Sequence, residues 1–290
     1  MSNSVTLSFS RPPNILAAYL KALAARGSRF NPQEGDTIPR IEARMSAVRP
    51  DRSNLTKYND ICGFTDPDNL PLTYPHILAA SMHLEMLTNK AFPLPVMGLV
   101  HVRNSITQHR KIGAGEVLDI QVVVEGHRDL HNGVEFDLVS EARVGSELVW
   151  EETTTILSRF KRKDIERPAK TTEPVIDYER NAQWDLPANL GRRYGIVAGD
   201  INPIHMGKLS AKLFGFPRAI AHGMWSLAHA AAELQPVLPE GRFTLDVGFR
   251  QPVLLPSTVQ FKYSSTGKNL QFALYNSKGT KIHMAGSVSN

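Results

Sequence analysis

Apolar and polar positions along the chain fall into two successions of the same kind. Residues 99–109, 116–127, 133–144 and 147–157 read as four strands, the last three rich in Val, Ile, Leu and Thr and separated by turn residues. They follow a helical stretch from Pro75 to Asn89. The second half repeats this order. A helical stretch at about 221–235 precedes FTLDVGFRQP, STVQFKYS, NLQFALYN and TKIHMAGSV, with Asn276-Ser277-Lys278-Gly279 as a hairpin turn. The chain therefore reads as a tandem duplication. Between the halves, residues 160–189, which include FKRKDIERPAKTTEP, are rich in charge and Pro, lack a clear apolar period and predict a linker crossing the surface. The boundary falls near 165–173, giving an N-terminal unit over 1–165 and a linker with a C-terminal unit over 166–290.

In AHGMWSLAHAAAEL, residues Met224, Trp225, Leu227, Ala228, Ala230, Ala231, Ala232 and Leu234 cover nearly every face of a helix. A helix without a polar stripe has to be enclosed on all sides. A long antiparallel sheet curled around one buried helix meets that requirement, and the small Ala side chains let the sheet approach closely. HILAASMHLEML in the first half is similar in character. The expected class is α+β: a double hotdog of two tandem repeats, each an antiparallel sheet wrapped around a buried helix.

Composition narrows the function classes. A chain of 290 residues, 42% hydrophobic and 21% charged, can bury one large core or two of ordinary domain size. No apolar run approaches the ~18 residues needed to span a bilayer, so no membrane partner is expected and the cytoplasm is the expected compartment. Residues 1–33 carry Arg11, Lys21, Arg26 and Arg29 but no acid, and ILAAYLKALAAR reads as an amphipathic helix on the domain surface. Cys62 is the single cysteine, which excludes an internal disulfide and a thiolate metal cluster and reads as a small buried thiol. The net charge of +5 sits largely in short runs such as Ser158–Lys163 and Arg192-Arg193, without the dense basic face and interleaved aromatics of a nucleic-acid binder. A small anionic ligand, such as a phosphate-bearing thioester carrier, suits the balance better.

The segment GDINPIH carries the candidate chemistry. Asn202 is a good N-cap and Pro203 is favoured at the first helical position, so a helix starts there and places His205 in its first turn. Asp200 lies just before the cap, where the chain can turn its carboxylate toward the imidazole. A water held between a carboxylate and a neutral imidazole can be deprotonated as it attacks an electrophilic carbon, while a proton is returned to the adjacent carbon. The backbone N–H of Gly223, opening the buried helix, is placed to steady charge on a carbonyl oxygen.

YGIVAGDINPIH followed by FPRAIAHGM resembles the signature of the MaoC-like, (R)-specific enoyl-CoA hydratases, the hydratase 2 family. The resemblance covers the whole chain as a double hotdog, with the motif in the second half alone. It implies a hydro-lyase that reversibly hydrates trans-2-enoyl thioesters to (R)-3-hydroxyacyl thioesters, carried as CoA or acyl-carrier-protein thioesters, with no metal or other cofactor. It also implies that Asp200 and His205 are the catalytic pair, the division of acid and base between them staying open. Asn202, Gly223 and His222 then support the site and the substrate. Some relatives place a hydroxyl farther along the buried helix to hold the carboxylate; here that position is Ala228, with Ser226 nearby. Two hotdogs in one chain imitate the usual hotdog dimer, so both a monomer and a homodimer stay open.

Aligning Gly63 with Gly199 sets GFTDPDN against GDINPIH without a gap. Asp66-Pro67 then keeps the cap, while Phe64 stands for Asp200 and Asn69 for His205, and the first half reads as non-catalytic. His76 follows Asn69 by seven positions, against seventeen from His205 to His222. The first half thus lacks the short helix of HMGKLSAKLFG, which predicts a groove beside its buried helix for an acyl tail. Two competing readings remain: a hotdog acyl-thioesterase, and a non-catalytic subunit that binds acyl thioesters.

Other signals carry less. Gly113-Ala114-Gly115-Glu116 precedes a strand and reads as a turn; His127 and His131 sit in a connection between strands with no third ligand evident. His222 and His229 read as hydrogen-bonded core or site-edge histidines, and Tyr194 as a residue of the core or of the site mouth. Arg192, Arg193, Lys208, Lys212 and Arg218 read as solvated charge.

Overall fold

The computed structural model describes all residues except 1–4, 25–29, 31–34, 162–163, 169–175 and 267–268. Its first half runs β1 (Val5–Phe9), α1 (Ile15–Ala24), β2 (Ile41–Val48), α2 (Arg52–Cys62), α3 (Tyr74–Leu87), β3 (Leu99–Gln108), β4 (Leu118–Leu130), β5 (Gly133–Val144) and β6 (Glu147–Arg159). The second half runs β7 (Arg180–Leu186), α4 (Leu190–Ala198), α5 (Pro203–Met206), α6 (Lys208–Leu213), α7 (Gly223–Leu234), β8 (Phe243–Phe249), β9 (Ser257–Thr266), β10 (Asn269–Asn276) and β11 (Ile282–Ser289). Among the described residues, eleven strands form one sheet in the order β1-β2-β4-β5-β6-β3-β8-β11-β10-β9-β7. All neighbours pair antiparallel except β1 with β2.

The order is symmetric about the β3–β8 seam. Outward from it, β6, β5, β4 and β2 on one side correspond to β11, β10, β9 and β7 on the other, and α3 and α7 are the matching central helices. This is the double hotdog of an α+β protein. Leu227, Ala228, Ala230, Ala231 and Leu234 of α7 are fully buried, as are Ala79, Met82 and Met86 of α3. The halves also interlock through the end of α2: Trp225 Nε1 donates to the Ile61 carbonyl at 2.9 Å and His229 Nδ1 to the Cys62 carbonyl at 2.8 Å. Two helix-terminal carbonyls with no acceptor role left inside α2 thus find donors in the other half. Cys62 is buried beside them, and burial pushes its thiol well above the ordinary range.

Two expectations change, and two lie partly outside the described residues. Residues 160–189 are not linker throughout, because Arg180–Leu186 forms the edge strand β7 on β9, with Trp184 and Leu186 buried in alternation with exposed Gln183 and Asp185. The boundary near 165–173 falls partly on residues 169–173, outside the described residues, as do the last two residues of ILAAYLKALAAR. His127 lies in β4 within the irregularity between Glu125 and Arg128, where its Nδ1 accepts from the Ile38 N–H at 3.3 Å. Among the described residues no helix is long and apolar enough to cross a membrane.

The enclosure of α7 has a direct test. Ala231→Leu adds volume at a fully buried position of a helix whose exposed residue is Glu233 near its end, and is expected to cost roughly 1–3 kcal/mol, read as a lower urea midpoint. An unchanged midpoint would mean that the sheet leaves room around the helix.

Candidate active site

Helix α4 ends on Gly199 in the left-handed region, φ 73°, and the chain turns back over the helix it has just left. Asn202 Oδ1 then accepts from the Ile204 N–H at 3.3 Å, Pro203 opens α5, and His205 falls in its single turn. Two glycines of α4 permit the close return. A Cβ on Gly191 would lie 2.4 Å from the His205 carbonyl oxygen, and one on Gly195 would lie 2.5 Å from that of Asp200.

Asp200 and His205 of this segment meet His222, at the start of α7, on the cavity wall. His205 Nδ1 lies 2.8 Å from the Ile220 carbonyl oxygen. A carbonyl can only accept, so Nδ1 carries the proton and Nε2 a lone pair. By the same argument His222 Nε2 donates to the Asp200 carbonyl at 3.0 Å; this nitrogen also lies 3.6 Å from Asp200 Oδ2. The two imidazoles stack with ring centres 3.6 Å apart. Asp200 Oδ1 accepts from the Asn202 N–H at 3.2 Å and from the Tyr19 hydroxyl at 2.5 Å. While both imidazoles are buried, the Asp200 side chain keeps 43% of its surface open.

These contacts set the charge states. Burial alone would raise the Asp200 carboxyl, but the imidazoles of His222 and His205, the Tyr19 hydroxyl and the Asn202 N–H together hold it at about 2. Burial lowers His205 despite the pull of the Asp200 carboxylate, and lowers His222 to about 3. Burial and Asp200 raise the Tyr19 hydroxyl, which stays a donor. Near pH 7 the site therefore holds a carboxylate beside an unprotonated imidazole. Asp200, His205 and His222 each bring one ligand atom within 4.8 Å of the others, so this donor set could also approach a cation.

Residues 164–286 match the family model of the MaoC like domain. Over 255 residues the chain is 31% identical to 3-hydroxyacyl-thioester dehydratase X of Mycobacterium tuberculosis, covering 87% of this chain and 90% of that protein. The chain belongs to the MaoC-like dehydratase family. It is an enzyme of the hydro-lyase class. The crystal structure of HtdX from Mycobacterium tuberculosis aligns with a TM-score of 0.75 at 29% identity, covering 86% of this chain and 99% of that one. A MaoC-like dehydratase from Phytophthora capsici, 18% identical, shares the fold at a TM-score of 0.71 over 90% of this chain and 98% of its own.

In this MaoC-like chain the site opens into a cavity of about 430 Å³ lined by both halves. Asp200, His205, His222 and Gly223 lie along it, and α3 contributes His76, Ala80, Leu84 and Leu87. Gly223 is the first residue of α7, so its N–H has no acceptor within the helix. A Cβ there would come within 3.1 Å of the Phe249 ring. Tyr194, packed on His222 with ring centres 4.9 Å apart, is a buried part of the wall. His222 is buried behind His205 and Asp200, more a support for them than a mouth residue. Arg192, Arg193, Lys208 and Lys212 are exposed, and Arg218 donates to the Pro256 carbonyl.

The first half differs from expectation at its counterpart of the cap. Gly63 matches Gly199 in its left-handed conformation, φ 86°, but no helix follows Asp66. Its Oδ1 accepts from the N–H groups of Asp68 and Asn69, closing a local turn, and Asn69 bridges to Gly113. Nothing in the sequence motif pointed to Tyr19. The hydroxyl that would have come from position 228 arrives instead from α1, and Ala228 and Ser226 stay in the core, Ser226 bonding the His222 carbonyl.

Gly195→Ala tests the close return. The added methyl meets backbone rather than a movable side chain, so a loss of roughly 1–3 kcal/mol is expected, whereas Gly207→Ala, whose nearest atom would be Ser210 Oγ at 3.9 Å, should leave the midpoint in place. Equal midpoints for the two variants would contradict this packing.

Proposed function

We propose that the enzyme catalyses the reversible addition of water to a trans-2-enoyl thioester, giving the (R)-3-hydroxyacyl thioester. The observation that carries this reading is the ionised Asp200 beside His205, whose Nε2 is bare, on the wall where Gly223 opens α7. In the hydration direction, a water lies between Asp200 and His205. As its oxygen bonds to C3, the displaced π electrons move toward the thioester carbonyl, and a proton of the water passes to the pair. His205 Nε2 is the acceptor with the lone pair, and the Asp200 carboxylate stabilises the imidazolium that forms. The enolate oxygen takes its hydrogen bond from the Gly223 N–H at the positive end of α7. The pair then gives a proton to C2, so one water is added in full.

Because water and proton carrier share one wall, OH and H reach the same face of the double bond. The (R) configuration follows the family resemblance. Asn202 serves by capping α5 and by its N–H to Asp200, and His222 by fixing the Asp200 backbone. The acyl tail runs along α3, so the first half supplies the pocket and, through Tyr19, the hydroxyl that holds Asp200, but neither of the proton-transfer groups. No metal or redox cofactor has a part in these steps.

Incubation with trans-2-enoyl-CoA of six to ten carbons, EDTA present, is expected to bleach the conjugated double bond without releasing free thiol. Thiol release without hydration would establish a thioesterase instead, and abolition by EDTA would assign the Asp200–His205–His222 donor set to a metal. Asp200→Asn and His205→Ala, still folded and still binding thioester, should each lose at least about 10²–10⁴-fold in kcat. Retained turnover would place the chemistry elsewhere.

The pH profile follows from the charge states. Activity needs Asp200 ionised and His205 unprotonated, and both groups lie below their ordinary values of 3.8 and 6.5. Lowering the pH from 8 should therefore leave kcat/KM level past 6.5, with the acid limb appearing only below it. A limb centred at 6.5 or above would contradict a buried, neutral His205.

A further inference from the structure

The first half presents its own ionisable group to the cavity, and the reaction above uses none of it. Glu152 of β6 has no side-chain surface exposed to solvent. Its two carboxylate oxygens lie 2.9 and 2.8 Å from His76 Nδ1, and one accepts from Asn104 Nδ2 at 2.8 Å. His76 stands in the first turn of α3 with its ring on the cavity wall and 14% of its side chain exposed. Two turns on, His83 bonds Ser140 Oγ at 2.9 Å and meets the His76 ring edge-to-face at 5.4 Å.

The charge states differ within this group. Burial takes His83 to about 3 and His101 to about 4, so both are neutral. Burial acts on His76 in the same sense, but the Glu152 carboxylate outweighs it and His76 is raised, with Asp200 adding to the rise. His76 and Glu152 thus form a buried ion pair. With Nδ1 committed to the Glu152 carboxylate, which favours the protonated ring, Nε2 is left for the cavity and carries a hydrogen whenever the imidazole is protonated.

An aliphatic tail gains nothing from such a wall. The cavity wall here combines Ile77, Ala80, Leu84 and Leu138 with the polar His83, His101 and Thr154, and apolar side chains of similar volume would serve stability as well as the His76–Glu152 pair or better. An alkyl chain passing here would cover His76 Nε2–H and leave a polar group without a partner. A chain bearing an oxygen at this depth would supply that partner. We infer that His76, held by Glu152, is a hydrogen-bonding subsite for a hydroxyl or carbonyl oxygen carried by the acyl chain beyond the reacting carbons. The preferred substrates are then oxygenated acyl thioesters, which deepens and rests on the water-addition reading. Because Glu152 neutralises His76, the subsite suits a neutral oxygen and not a chain ending in a carboxylate.

The test compares trans-2-decenoyl-CoA with analogues whose keto or hydroxyl oxygen is walked from carbon 5 to carbon 9, and with an analogue ending in a carboxylate. In the wild-type enzyme one position is expected to raise kcat/KM at least ten-fold over the plain chain, mainly through KM. In His76→Leu that ratio should fall toward one, and His76→Gln, which keeps a donor, should restore part of it. Glu152→Gln, which leaves the imidazole without its carboxylate, should lower it as well. A wild-type ratio near one at every position overturns the subsite, as does a ratio unchanged in the His76 variants or a preference for the carboxylate chain. Since the wild-type series decides by itself, a variant that fails to fold does not rescue the inference. Hydration of neither the plain nor the oxygenated chains would instead sink the reading of the reaction, whereas hydration of plain chains without an oxygen preference would remove the subsite alone.

Discussion

A helix with apolar residues on nearly every face cannot rest on a surface, and the enclosure of α7 is the constraint from which the arrangement of this protein follows. The sheet must curl around it, and the Ala positions let the strands come close. Enclosure fixes the helix start as well as its sides. His222 and Gly223 are therefore delivered to the same place in the cavity wall, one against the Asp200 backbone and the other as the first residue of α7, whose N–H has no acceptor within the helix. Trp225 and His229, one and two turns in, close the end of α2 and so bind the two halves through the same element.

Against that frame the loop from Gly199 to Met206 is pressed by α4, where Gly191 and Gly195 bring backbone onto backbone. The electrostatic outcome is a balance of burial against specific partners. Desolvation disfavours every charge at the site, and it prevails at His205 and His222, whose partners include backbone carbonyls. It loses at Asp200, where a hydroxyl and an N–H are aimed at the carboxylate. A base without a proton beside a fixed negative charge is the result. The opposite half resolves the same conflict differently, by pairing one imidazole with a buried carboxylate and leaving its neighbours neutral.

What could be read in the sequence was local. Asn202-Pro203 specifies the start of α5 through contacts within a few residues, and the central helices and most strands follow from apolar period. The edge strand β7 escaped because only Trp184 and Leu186 are buried in it, too few to stand out in a charged stretch. Asp66 shows the limit of a motif: the Asx turn forms, yet with no residues inserted before α3 there is no helix for it to cap. Tyr19 lies 181 residues from the carboxylate it holds, and the His76–Glu152 pair spans 76. Such contacts are made when the sheet closes, and no spacing along the chain encodes them. Ala228 showed only that the hydroxyl some relatives carry on α7 is missing at that position; it did not indicate that Tyr19 of α1 supplies one.

The central claim is that one wall supplies both the hydroxide and the proton. Hydrating a trans-2-enoyl-CoA in D₂O and determining the relative configuration at C2 and C3 of the product by NMR tests this most directly. The account predicts a single diastereomer with deuterium and OH added to the same face; addition to opposite faces, or a mixture of both, would contradict it.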